Sequence, residues 1–209
     1  MDKTIEQVFK IFSHLAREIQ TYIFSGLILL LNFHMIDRYY NDCEITKEIM
    51  GYDYYIVMLL IVAYILGQIS LGFYCFVLEV HSYEERIYAK LFKDRYKNVD
   101  SATDEVMIRK KGEIFLKNRE IYFHFIERNV NLALMRWNYS SAFLMIFLID
   151  LGFGLVGLFF QEWHPIMLII AFFSFIISAW LMVLHAMTQK ENILQLNELK
   201  EIIPCEDKK

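Results

Sequence analysis

Hydrophobic positions fall into four long runs, at 19–36, 54–80, 139–160 and 165–186, with the charged residues crowded between them. A bilayer core of about 30 Å is crossed by roughly 20 helical residues rising about 1.5 Å each. Every run reaches or approaches that length. Backbone groups inside lipid must bond within their own segment or a closed barrel, and hairpin-turn chemistry is scarce here, with two prolines and eight glycines in 209 residues. The pattern predicts an all-α, polytopic membrane protein with four transmembrane helices.

The polar intervals carry their own periodicity. Residues 1–18 space Ile5, Val8, Phe9, Phe12, Leu15 and Ala16 helically among Glu6, Lys10, His14, Arg17 and Glu18. That is an amphipathic helix, lying in the inner interface or packed on the rest of the protein. From 54 to 97 there is no proline and no glycine after Gly72, and Glu79, Glu84, Glu85, Arg86, Lys90, Lys93 and Arg95 continue a helix-compatible surface. After a break at 98–100, Ser101-x-x-Asp104 reads as a capping box opening a helix that carries Met107, Phe115, Tyr122, Ile126, Val130 and Trp137. The spacing predicts a long cytoplasmic helical hairpin, 81–138, between helices 2 and 3. The fourth run continues as a packed stripe through Ile193, Leu196, Leu199 and Ile203 until Pro204, within a C-terminal helix and tail at 187–209. The whole forms one domain.

Composition narrows the class. A chain that is 56% hydrophobic and 16% aromatic is not disordered. Cys43, Cys75 and Cys205 fall in an outer loop, a span and a tail, which gives no disulfide framework and no metal-binding pair. Basic residues set the orientation: nineteen of twenty-one lie in the N-terminal segment, the central interval and the tail, leaving only Arg38 and Lys47 opposite. Both termini are therefore expected on the cytoplasmic side of the plasma (inner) membrane.

Polar groups within the spans are the first candidates for function, because hydrocarbon makes them expensive. Asp150 lies midway along the third run, where a carboxylate has to be paired or neutralised; Asn32, His34, Gln68 and His185 accompany it. They are read as an assembly contact or an ion path, against the plainer reading of hydrogen bonding within the bundle. Gly152, Gly154 and Gly157 follow Asp150 and permit close helix approach. At the entry to the third run, Arg128, Asn129, Asn131 and Arg136 are candidates for an inner vestibule or for lipid phosphates, or form a snorkelling collar. Arg86, Lys90, Lys93, Arg95, Lys97, Arg109, Lys110 and Lys111 make the hairpin tip basic, a surface for an acidic protein partner or a plain solvated face. Catalytic motifs are sparse. Arg119 and His124 have the spacing of the HEPN-type ribonuclease motif, but Glu120 stands where that family usually has a neutral polar residue. No catalytic residue, cofactor or metal ion is expected.

The helix at 84–97 leaving the second run, and the entry Phe125-Ile-Glu-Arg-Asn-Val-Asn-Leu-Ala-Leu134, carry a resemblance. The plan is similar to the small four-span membrane proteins of prokaryotic antiviral defence, such as Kiwa-type membrane subunits and type VI CRISPR accessory membrane proteins. The resemblance implies a homo-oligomer that senses envelope disturbance, anchors a cytosolic effector or opens the membrane as a pore. The expected partners are membrane lipids, further copies of the chain with a tetramer favoured, and a cytosolic protein, with nucleic acid touched only indirectly. The competing readings are a membrane enzyme acting on lipid or RNA and a small channel or transporter unrelated to defence. The charge asymmetry generates a direct expectation: a reporter fused after Lys97 reads as cytoplasmic and one near Asp42 as external. The opposite labelling at either position overturns the topology.

Overall fold

The computed structural model describes residues 15–78, 112–114, 122–159 and 165–202. Their regular structure is helical throughout: α1 (Leu15–Tyr40), α2 (Glu44–Met50), α3 (Tyr55–Leu78), α4 (Arg128–Phe159) and α5 (Pro165–Ile202). Helices α1, α3, α4 and α5 are each long and apolar enough to cross a membrane. Described helix already runs from Leu15 in α1 and from Arg128 in α4, ahead of the apolar runs they contain, because charged helix formers extend each helix past its hydrophobic part. The short helix α2 has no counterpart in the hydropathy pattern. The amphipathic stretch before Leu15, the break at 98–100, the Ser101-x-x-Asp104 box and the arms of the cytoplasmic hairpin fall largely outside the described residues.

Two compact units divide the chain. The first comprises Met1–Glu79 and Trp137–Met182, the second Val80–Arg136 and Val183–Lys209. In the first unit α1 and α3 meet backbone to backbone. A Cβ added to Gly26 would lie 1.7 Å from the Ala63 carbonyl oxygen, and one added to Gly67 would lie 2.0 Å from that of Tyr22. Only glycine permits this approach, which is the small-residue logic of membrane helix pairs. The described buried positions of α3 are Ala63, Gly67 and Ser70, a narrow face at helical spacing, while Ile56, Val57, Ile61, Ile65 and Ile69 point outward. A modest apolar cluster of Leu29, Ala142 and Ile146 joins α1 to α4.

The distribution of polarity is the inverse of a water-soluble bundle. Phe172, Phe173, Phe175, Ile176 and Trp180 are exposed on α5, whereas Thr21, Ser25, Asn32, Ser70, Asn138, Ser140, Ser141, Asp150, Ser174 and Ser178 are buried. Water-soluble proteins rarely expose contiguous apolar surface on this scale. It suits a hydrocarbon surround, in which helices gain nothing from hiding leucine and associate through close packing and hydrogen bonds.

The glycine contacts can be tested separately. Gly26→Ala and Gly67→Ala each force a backbone shift and are expected to cost about 1–3 kcal/mol, as overpacking generally does. Gly72, where an added Cβ meets nothing within 4 Å, serves as the control. Gly72→Ala should be neutral or slightly stabilising through helix propensity. Unfolding midpoints in mixed detergent report all three.

Candidate functional site

The first turns of α1 open into a π-helical segment, Ile19–Ile23. A widened turn loosens the helical ladder and turns carbonyls outward to other donors. Asn138 of α4 exploits this: its Nδ2 donates to the Thr21 carbonyl at 2.7 Å and to Ser25 Oγ at 3.0 Å. Tyr139 Oη donates to the neighbouring Gln20 carbonyl. The Asn138 carbonyl in turn accepts from Ser70 Oγ of α3 at 3.2 Å, and Ser141 Oγ donates to the Ser70 carbonyl. Asn138 thus ties three helices together. On the other side of α4, Ser140 Oγ donates to the Ser178 carbonyl at 2.8 Å and Ser178 Oγ to the Ser140 carbonyl at 2.7 Å, a reciprocal clasp onto α5.

Three turns further along α4 lies Asp150, fully buried. Asn32 Nδ2 of α1 donates to its Oδ1 at 3.0 Å, while its Oδ2 is buried without a hydrogen-bond partner. The two residues singled out from sequence are therefore partners within one chain. The glycines after Asp150 serve different ends: a Cβ on Gly154 would press on the Leu168 side chain of α5 at 2.5 Å, and one on Gly152 would meet nothing within 4 Å.

At the end of α1 a second carboxylate is buried. Asp37 Oδ2 accepts from the Thr46 backbone N–H at 2.8 Å and from Thr46 Oγ1 at 2.6 Å. Thr46 stands in the first turn of α2, so the α1 carboxylate caps a helix that begins seven residues later. The hydroxyl proton of Thr46 is thereby committed, and His34 Nδ1, 3.1 Å away, is the donor to Thr46 Oγ1. The joint between the helices is strained: Asp42 and Cys43 adopt left-handed backbone with φ of 49° and 64°. The Asp37 carbonyl accepts from Asn41 N and Cys43 N and completes the clamp.

Gln68 points outward from α3. Its Nε2 donates to Tyr64 Oη at 3.2 Å, and Tyr64 Oη donates to Glu18 Oε2 at 3.4 Å, forming an exposed polar chain. In the second unit, Asn129 Nδ2 donates to Gln195 Oε1 at 2.6 Å, His185 Nδ1 bonds the Ala133 carbonyl at 2.8 Å, and Arg136 Nη1 donates to the Leu184 carbonyl at 3.0 Å and to Thr188 Oγ1. These bonds stitch the start of α4 to the later turns of α5. Arg128 is exposed and Asn131 half-buried. Arg86, Lys90, Lys93, Arg95, Lys97, Arg109, Lys110, Lys111 and Arg119, together with the His124 side chain, lie outside the described residues.

Sequence reasoning passed over Asn138, the serines and Asp37. Their one signal was spacing: Thr21, Ser25, Asn32 and Ile36 share a face of α1, as do Asn138, Ala142, Ile146 and Asp150 on α4. No family model, curated protein or solved structure matches this chain. Asn32 and Asp150 define a thermodynamic cycle. Asn32→Leu strips the buried carboxylate of its one partner and is expected to cost about 1–3 kcal/mol, whereas Asn32→Leu with Asp150→Leu should recover most of that loss. Additive melting shifts in detergent would show that the pair is not coupled.

Proposed function

We propose that this chain is an integral membrane protein with four spans and both termini on the cytoplasmic side, assembling with copies of itself as a sensor or scaffold for a cytosolic partner. The observation that carries the assembly is the chain Glu18–Tyr64–Gln68 on the outward face of α3. Among its described residues α3 buries only Ala63, Gly67 and Ser70, and Leu66 and Tyr64 add contacts to α1 and its apolar cluster, so much of its described circumference is exposed. The Gln68 carboxamide bonds Tyr64 within the chain but stays exposed, and as both donor and acceptor it can also meet the same group on another copy. A tetramer is the favoured state.

A sensor or scaffold fits better than a conducting pore. Asp150, the carboxylate deepest in the candidate spans, is 0% exposed within the chain, which supports an interior contact over a path lining. Its position midway along a span and its single partner, Asn32, make it a point where a change of packing or charge would shift the balance between two arrangements of the bundle. Helices α4 and α5 contribute residues to both units, which gives such a shift a covalent route toward the second. A place in antiviral defence, beside a cytosolic effector, is the setting the architecture resembles.

Native mass spectrometry in mild detergent tests the reading. The wild-type chain is expected as a multimer, four-fold first, and Gln68→Leu should raise the monomer fraction at least several-fold without impairing insertion. A monomeric wild type across detergents and concentrations overturns the proposal.

A further inference from the structure

Helix α2 is seven residues long and buries none of them. Ile45 and Ile49, one turn apart, are 40% and 38% exposed, and Met50 beside them is 54% exposed, while Lys47 lies on the opposite side. Tyr39, Tyr52 and Tyr54 are exposed around the helix, at the ends of the two candidate spans that α2 connects. Those spans fix its position. A segment of fourteen residues between Tyr40 and Tyr55 stays at the membrane surface whichever way the protein points. Tyrosines gather at that depth because their rings are amphipathic. Three aliphatic side chains are too few for a stable protein interface, which takes about 800 Å² from each partner. They suffice to seat a short helix in lipid headgroups when two spans already anchor its ends.

A loose surface helix would report nothing to the bundle, but α2 is not loose. Asp37 grips its first turn through two bonds to Thr46, His34 bonds the same hydroxyl, and the left-handed Asp42 and Cys43 leave the joint little freedom. The gripping residue belongs to α1, which five residues earlier presents Asn32 to Asp150. We infer that α2 is an interfacial helix whose apolar edge reads the outer-leaflet surface of the bilayer, and that the Asp37–Thr46 latch makes α1 move with it. Lipid packing at the outer surface is then the input. This rests on the membrane topology proposed above, but not on the assembly state.

Spin labels test it. In a full-length Cys43→Asn, Cys75→Ala, Cys205→Ser background, asparagine tolerates the left-handed position 43, and single cysteines at 45, 47 and 49 carry a nitroxide in phosphatidylcholine–phosphatidylglycerol vesicles. Relaxation by oxygen, which concentrates in hydrocarbon, is compared with relaxation by a water-soluble nickel chelate. Positions 45 and 49 should favour oxygen several-fold over position 47, and Thr46→Val should increase label mobility at 47. Equal nickel access at all three positions overturns the inference, as does shielding of 45 and 49 from both probes, which would place protein on that face. Unchanged mobility at 47 both in Thr46→Val and in Asp37→Leu, which also removes the bond from the Thr46 N–H, overturns the latch. Each label reports immersion whether the protein is monomeric or multimeric, so failure here is distinguishable from failure of the assembly reading.

Discussion

An apolar exterior dictates everything inside this bundle. With phenylalanine, isoleucine and leucine turned outward on α3 and α5, a polar group in the interior can bond only to another interior group or to a freed carbonyl. Asn138 meets the demand by inserting into the widened turn of α1 and offering its own carbonyl to Ser70. Each such bond is modest, averaging about 0.6 kcal/mol between membrane helices. What they supply in quantity is registry. Sliding α1 along α4 by one residue would break the bonds of Asn138, Tyr139 and Asp150 together.

Close backbone approach and polar bonding reinforce each other here. Gly26 and Gly67 bring α1 and α3 so near that Ser25 and Ser70 fall within reach of α4 side chains. A bulkier residue at either glycine would widen the gap and lengthen bonds that tolerate little stretching. The small residues therefore act on helices they do not touch.

The four long apolar helices were legible in the sequence because hydropathy over twenty residues is a strong signal, and the continuation of α5 past the apolar run was legible from its stripe of isoleucine and leucine. Asn32 and Asp150 stood out as candidates, yet their pairing could not be read, since nothing local links positions 118 residues apart. The hydroxyls were invisible for a different reason: serine is unremarkable in any helix, and its role depends on which carbonyl a neighbouring helix presents. Helix α2 escaped because seven residues with Glu44, Lys47 and Glu48 among them resemble any polar loop. Its start is set by Asp37 from the preceding helix, outside the window in which a capping residue is normally sought.

The two buried carboxylates show how differently the same group can be held. Asp37 has a backbone N–H, a hydroxyl and the positive end of α2 arrayed on one oxygen, all within nine residues of chain. Short loops and a local partner make that arrangement robust, and its effect is to fix the geometry of the connection between α1 and α3. Asp150 has one amide from a distant helix and an oxygen with none. A bundle selected only for stability would fill that position with leucine, because an apolar residue there has nothing to satisfy. Among the described residues Asp150 shares a partner-free buried oxygen with Thr21, Asp37 and Asn138, but it is the one such carboxylate placed midway along a candidate span. Asn138 spreads its bonds over α1 and α3, whereas Asp150 depends on the single amide of Asn32, so a change at that one contact acts on it most directly.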